Sequence, residues 1–467
     1  MECSYAIKRN NFTIKLWGFT IVVFCSIFLI VGALAAIYEN GNSRPLSMGQ
    51  DTRLSLNDAV QAALKNNITA LLAEAKTEAA RGKILQSASY LLPHVLLNVQ
   101  QSRVFKENLA EMGFSSWGVI GPYNAFDGRI QLVQQIFDWS AAERLRAEQI
   151  NVKIAQLDEE LAAKQVRTAA SLAYLNTLSA QEDMEAALAD LDLARQLLKL
   201  GRRQNLAGLA TSIDVARFET RAAEEEAGCL RVTMNLHKAR IELNRVIGLP
   251  LDTRLKLTDA MGFGREQIFS VAEGINFADQ NRTELKIAGA RIQYRELKLK
   301  EARSERLPSV GLMGDYGLGG DSPSGSLRSV GEIGAVFKMP LFDGGLIKGE
   351  IEEAESDKRQ SRLIFDDLAK QIEEDVHLAL QSFLISTKQV RAAKKVLVLA
   401  QRELTMARDL FSAGIGDNIE VINAQTALAR SRQQYVAVVF QYNAARVNLY
   451  SALGNIETFS LSKKRGK

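Results

Sequence analysis

The residues of this chain best equipped for chemistry are three histidines, His94, His237 and His377, and three cysteines, Cys3, Cys25 and Cys229. Imidazole and thiolate can ligate metals, attack carbonyls or move protons, but each needs partners at short spacing or in a defined local motif. Here the histidines stand far apart. No His/Cys pair has metal-ligand spacing, and neither a glycine-rich phosphate loop nor a nucleophile elbow is present. The histidines therefore read as structural or surface residues, and no catalytic, cofactor-binding or metal-binding role is assigned to any side chain. Two carboxylate patterns do have a definite chemistry. Thr211-x-x-Asp214 and Asp417-x-x-Glu420 have the spacing of a capping box, in which side-chain oxygens accept the free backbone N–H groups at a helix start. Each follows a glycine, Gly208 or Gly414, suited to the left-handed residue that ends a helix. This is the chemistry of turns between helices, and it directs attention to the helices themselves.

Those helices come in duplicate. The segment AGLATSIDVARFET from Ala207 matches AGIGDNIEVINAQT from Ala413 at an offset of 206 residues, which also relates Ala239 to Ala445, Leu243 to Leu449 and Gly248 to Gly454. Val421, Ala424, Leu428, Ser431, Tyr435, Val438, Tyr442, Ala445, Leu449 and Ala452 alternate by three and four, a heptad seam. At the same offset the seam recurs from Val215 to Val246, broken only by Glu225, with Cys229 as a small core residue. A second seam, Ala379 to Phe411, repeats one from Ala173 to Leu198. Each half thus predicts a first helix (Leu54–Leu91; Gly274–Leu307), two strands, a long helix (Ala141–Leu206; Leu346–Ala413), a glycine turn and a final helix. At ~1.5 Å per residue the long helices reach about 100 Å. The absence of proline between Pro122 and Pro250, and after Pro340, permits that length.

Between first and long helices, period-two apolar patterns predict four strands, 93–104, 126–137, 308–318 and 330–341, with Pro93 and Pro308 opening the first of each pair. Their length suits transmembrane β-strands; a soluble hairpin beside a helical bundle is the alternative. Four strands cannot close a barrel, and open edges in lipid would cost several kcal/mol for each unpaired group, so a membrane reading requires several copies. At the N-terminus, Lys8, Arg9 and Lys15 precede an apolar run ending in Ala33-Leu34-Ala35. This fits a signal peptide over 1–35, and the run is also long enough for an uncleaved anchor. Charge is close to balanced, 58 Lys and Arg against 54 Asp and Glu, without a basic block. No nucleic-acid partner is therefore indicated.

The stretches LSLNDAVQAALKNN at Leu54, LLP ending at Pro93, QQIFDWS ending at Ser140, MPLFDGG ending at Gly345 and the two AG…A tips occur in this order. Together with the duplication they resemble the TolC-like outer membrane efflux proteins over about Leu54–Asn455. The resemblance implies a mostly α fold with a β-barrel portion. Two repeats (54–248 and 274–455) would carry coiled-coil hairpins 141–247 and 346–453 in an α-barrel. Four strands per chain would contribute to a trimeric twelve-stranded transmembrane barrel. Segment 249–273 and the tail 456–467 would supply a belt around the tunnel. It also implies sites. The tips Gly208, Leu209, Ala210, Thr211 and Ser212, and Gly414, Ile415, Gly416, Asp417 and Asn418, match where family members meet a periplasmic adaptor. Glu420 falls where an acidic ring closes the entrance, as well as in its capping pattern. Asn423 occupies the place of a second acid in some members, and Gly416 that of a gating arginine. Phe137-Asp138 and Phe342-Asp343 mark structural passages from strand to helix.

The implied function is a passive exit duct in the outer membrane, with a periplasmic helical tunnel. It would work as a homotrimer in contact with outer-membrane lipid, with a periplasmic adaptor and an inner-membrane pump, a proton-driven RND pump being favoured over an ABC transporter. No enzyme activity is expected. The same channel serving type I protein secretion is one alternative. A periplasmic adaptor or a structural coiled-coil protein is another.

Overall fold

The computed structural model describes residues 52–105, 107–108, 119–120, 122–264, 270–324 and 328–461. The leader expected over 1–35, part of 249–273 and the end of the tail lie outside them. In chain order the elements are β1 (Thr52–Leu54), α1 (Leu56–Asn66), α2 (Ile68–Ser89), β2 (His94–Val104), β3 (Glu107–Asn108), β4 (Val119–Ile120), β5 (Tyr123–Phe137), α3 (Trp139–Leu206) and α4 (Ser212–Ile247). Then follow β6 (Leu255–Leu257), α5 (Val271–Asn281), α6 (Thr283–Ser304), β7 (Ser309–Gly320), β8 (Arg328–Lys338), α7 (Leu346–Ser412), α8 (Asn418–Ala452) and a 3₁₀ turn at Ile456–Thr458.

The long helices α3 and α7 run unbroken for 68 and 67 residues. The expected first helix of each half is instead two helices. In the first half Asn67 adopts an extended backbone, accepts the Thr69 amide on Oδ1 at 2.8 Å and donates from Nδ2 to the Val246 carbonyl at 2.7 Å. In the second half Arg282 makes the break; its guanidinium reaches the Ser451 carbonyl at 3.4 Å and pairs with Asp375. Both breaks therefore tie the first helix to the end of the final helix of the same half. The contact is close at the glycines as well. A Cβ on Gly248 (φ +72°) would lie 2.8 Å from the Asn66 carbonyl oxygen, and one on Gly454 (φ +78°) 2.9 Å from the Asn281 carbonyl carbon. Neither the left-handed φ nor the space admits a side chain there.

Burial follows the heptad seams. In α8 every seam residue is buried except Tyr435, Ala452 included, and in α7 Phe383, Val390, Ala393, Ala400, Leu404 and Phe411 are buried against it. Helices α3 and α4 pair as one hairpin, α7 and α8 as the other, and α3 lies against α8. Glu225, the one polar interruption of the first seam, is explained by its neighbours. It pairs with Arg221, while Asp190 of α3 pairs across the hairpins with Arg432 of α8. Burial pushes the carboxyls of Asp190 and Glu225 up, against the pull of Arg432 and Arg221 respectively. A balanced ionic layer thus replaces one apolar layer of the seam.

The sheet order is β2-β5-β7-β8, antiparallel throughout, which leaves β2 and β8 as open edges. β8 ends at Lys338, three residues before the expected boundary, because Pro340 has no N–H to give a ladder and Gly344 and Gly345 turn the chain at φ +66° and +96°. One face carries the rung Val95–Leu132–Gly314–Ile333, flanked by Leu97–Ile130–Tyr316 and Phe337, all exposed in the single chain apart from the glycine. The other face carries Asn98, Gln100, Asp127, Arg129, Gln131, Asp315 and Glu332.

The short parallel pair β1–β6 brings segment 249–273 against the first half. Here Asp259, 5% exposed, accepts the Leu56 amide at 2.7 Å and the Tyr174 hydroxyl at 2.9 Å. Burial beside that carboxylate pushes the Tyr174 hydroxyl far up. Phe459 and Leu461 of the tail pack on the same core, with Phe459 edge-on to Tyr450 at 5.8 Å. The tail joins the core despite its shortness.

Candidate functional site: hairpin tips, entrance residues and outer seams

The two hairpin tips are built by the same local rules. Ala207 caps the end of α3; Gly208 (φ +74°) donates its N–H to Asn205 O at 3.0 Å and Leu209 to Gln204 O at 2.9 Å. Ala413 caps the end of α7; Gly414 (φ +77°) donates to Phe411 O at 3.1 Å and Ile415 to Leu410 O at 3.2 Å. Both are left-handed glycine terminations. In open space around Gly208, Leu206 and Leu209 are exposed, as is Ile415 on the other tip.

The helix starts differ. Thr211 forms a full capping box: its N–H donates to Asp214 Oδ2 at 2.8 Å and the Asp214 N–H donates to Thr211 Oγ1 at 3.3 Å. The Thr211 amide and hydroxyl together hold the Asp214 carboxyl below its ordinary range. Ser212 is the first residue of α4. At the second tip Asp417 alone caps, accepting the Ile419 N–H at 3.0 Å. The box expected with Glu420 is absent, because both side chains are carboxylates and the Asp417 oxygen already reaches the second amide of the helix. Glu420 is exposed and free of the cap, and shares a groove of about 520 Å³ with Leu399, Met406, Leu410 and exposed Asn423. Asn418 is buried, 2% exposed, and accepts from Arg217 of α4 at 3.2 Å, joining the two tips. Gly416 folds back on α7: a Cβ there would lie 2.8 Å from the Phe411 nitrogen. This turn therefore has no room for any side chain at 416, an arginine included.

At the other end of the hairpins, Asp138 accepts the Ala141 N–H at 2.9 Å. Asp343 accepts Gly345 N–H at 3.0 Å and Ile347 N–H at 2.8 Å, and these amides hold its carboxyl low. Pro93 and Pro308 immediately precede β2 and β7. Phe137 and Trp139 sit 6.1 Å apart and partly exposed, and Leu341 and Phe342 are 90% and 93% exposed. These are apolar side chains at the passage from sheet to helix.

Two further features carry no signal in the buried seams. On α4, Ile213, Ala216, Thr220, Ala223, Ala227, Leu230, Met234, His237 and Ile241 repeat by three and four, and all are exposed. On α7, Leu378, Ile385, Ala392, Leu399 and Met406 repeat by seven, interleaved with Val396 and Leu410, and all are exposed. These are second heptad seams, unpartnered within the chain, on the two helices that lie at opposite ends of the order α4-α3-α8-α7. Both periods stand in the sequence itself. His94, His237 and His377 are all exposed, and among the described residues no group of three His, Cys, Asp or Glu side chains is placed to hold a metal ion. Among them, too, no helix is long and apolar enough to cross a membrane.

A model of the outer membrane efflux protein family matches residues 59–249 and 274–455. The chain belongs to that family. The two matched segments of this outer membrane efflux protein end 206 residues apart, the offset of the internal repeat. The alkaline protease secretion protein AprF of Pseudomonas aeruginosa is 22% identical over 414 residues, covering 86% of this chain and 85% of that protein. Outer membrane protein TolC of Escherichia coli is 22% identical over 351 residues, covering 71% and 70%. Among solved structures, the Campylobacter jejuni CmeC outer membrane channel matches with a TM-score of 0.76 at 18% identity, covering 88% of this chain and 90% of that one. As an outer membrane efflux protein, the chain is an exit duct of the outer membrane with a periplasmic helical tunnel.

Proposed function

We propose that three copies of this chain close head to tail into one passive duct for small molecules. The observation that carries this is the matching of unpartnered edges. The first half ends in an open β2 edge and the exposed α4 seam, the second in an open β8 edge and the exposed α7 seam. Pairing β8 with the next copy's β2, and α7 with its α4, satisfies both at once and leaves no free edge in lipid. Two copies would give eight strands, an interior that side chains fill. Three give twelve, with room for water.

In this reading the barrel sits in outer-membrane lipid, bounded on the periplasmic side by Phe137, Trp139, Leu341 and Phe342. The tips Gly208–Ser212 and Gly414–Asn418 receive a periplasmic adaptor, and an inner-membrane pump, proton-driven, delivers the cargo. Glu420 and Asn423 line the narrow entrance. No catalysis belongs to the chain; energy is supplied by the pump. A second reading, export of proteins for an ABC transporter, is favoured by the likeness to AprF, which is named for protease secretion.

The tips provide the test. A Cβ would meet open space at Gly208 and only ordinary contact with Leu209 at Gly414, but both backbones are left-handed, so Gly208→Val with Gly414→Val adds roughly 1–2 kcal/mol of local strain per site. The double variant is expected to assemble normally while cells carrying it become as sensitive to small toxic compounds as cells lacking the protein. Unchanged resistance would remove the tips from the mechanism. Retained resistance in cells lacking the protein, with loss of a secreted protein instead, would favour the second reading.

A further inference from the structure

The two halves meet on a lysine whose repeat counterpart holds nothing within the chain. Lys164 of α3 reaches into the place where α5, α6 and α8 come together, with only 15% of its side chain exposed. Its ammonium donates to the Thr283 hydroxyl at 2.9 Å, the Gly454 carbonyl at 3.1 Å and the Asn281 carbonyl at 3.4 Å, and pairs with Glu160 at 3.0 Å. Carbonyls at helix ends carry partial negative charge, so the ends of α5 and α8 share one cation. The repeat offset of 206 carries Glu160 and Lys164 onto Asp366 and Lys370 of α7. Both are exposed, and among the described residues Lys370 makes no ion pair or side-chain hydrogen bond. The first half holds the matching acceptors. Asn66 ends α1 as Asn281 ends α5, and Gly248 closes on Asn66 as Gly454 closes on Asn281. No side chain among the described residues donates to the Asn66 or Gly248 carbonyl.

We propose that Lys370 clamps one copy to the next, donating to the Asn66 and Gly248 carbonyls of the neighbouring copy as Lys164 donates to Asn281 and Gly454 of its own. This rests on the closed three-copy reading, in which six halves alternate around one axis. The contact of α7 with the next copy's first half then repeats the contact of α3 with the second half of its own copy. A neighbouring position agrees. Thr168 of α3 meets Ser451 of α8, hydroxyl to hydroxyl at 3.4 Å. The same offset turns that pair into Glu374 of α7 and Arg245 of α4. These are opposite charges, both exposed and both without an ion pair among the described residues. One acceptor is exchanged. Ile68, 65% exposed, opens α2 where Thr283 opens α6, so an apolar contact takes the place of the hydroxyl. The site that Lys370 fills is thus incomplete in a single copy.

Disulfide crosslinking of the full-length protein in isolated outer membranes tests the placement. Glu374→Cys combined with Arg245→Cys, oxidised with copper phenanthroline, is expected to give covalent dimers and trimers on a non-reducing gel. Neither single variant should do so. Both substitutions alter exposed side chains that hold no partner within the chain, so each copy folds as before. Lys370→Met tests the clamp itself and is expected to lower the temperature at which the native particle dissociates in mild detergent. Unchanged dissociation of Lys370→Met overturns the clamp. Absence of the crosslink in an intact three-copy particle overturns the placement of α7 on the next copy's α4, and the clamp with it. Either result leaves the three-copy ring standing. A protein that never forms a three-copy particle overturns the ring and the clamp together.

Discussion

Aspartate at both Leu230 and Met234 is expected to abolish assembly while leaving the chain's own hairpins intact. Both side chains are about two-thirds exposed in the single chain, at 70% and 68%, and contribute nothing to its core. Within one copy the substitution is therefore close to neutral. In the closed ring the same positions are buried against the α7 seam of the next copy, where each large apolar side chain contributes ~1.5–3 kcal/mol. Replacement loses that contribution and desolvates a carboxylate against an apolar seam built from Leu378, Ile385, Ala392 and Leu399. The loss recurs at three interfaces. Size-exclusion chromatography of the detergent-extracted variant should show monomer with helix content unchanged by circular dichroism. Assembly as in the unaltered protein would mean that α4 faces something other than a second copy.

Loss of Asp190 should give the largest destabilisation inside one copy. Its side chain is 5% exposed and pairs with Arg432, itself 26% exposed, across the boundary between the two hairpins. Asp190→Ala leaves the guanidinium in that layer without its carboxylate, a change that costs about 3–5 kcal/mol when one partner of a buried pair is removed. Glu225 cannot substitute, because Arg221 already holds it. Replacing both partners, as Asp190→Leu with Arg432→Met, removes the orphaned charge and should recover most of the loss. Thermal melting of the three proteins separates the cases. Equal melting of the single and double variants would show that the ion pair itself, rather than the desolvation of an unpaired arginine, holds the hairpins together.

The duplication, the long hairpins and the four strands were legible because each rests on a local period. Heptads of three and four, alternation by two, and glycine stops at Gly208, Gly248, Gly414 and Gly454 all report on backbone geometry that neighbouring residues decide. The features that escaped are long-range. Asn67 looks like one more polar residue in a helix until Val246, distant in sequence, offers its carbonyl. Asp259 gains meaning only when Tyr174 and the Leu56 amide surround it. Glu225 reads as a fault in a seam until Arg221 and the Asp190–Arg432 pair are beside it. For Glu420 the spacing allows a capping box beside an entrance role, but it does not show that Asp417 turns to the Ile419 amide and leaves Glu420 outside the cap.

The closed ring of three is the claim on which the duct and the tip contacts both depend. Its most direct test is the mass of the native particle extracted in mild detergent from purified outer membranes of cells expressing the full chain. The account predicts a particle holding three copies of the chain. A soluble monomer, a membrane-bound monomer, or a ring of any other number would contradict it.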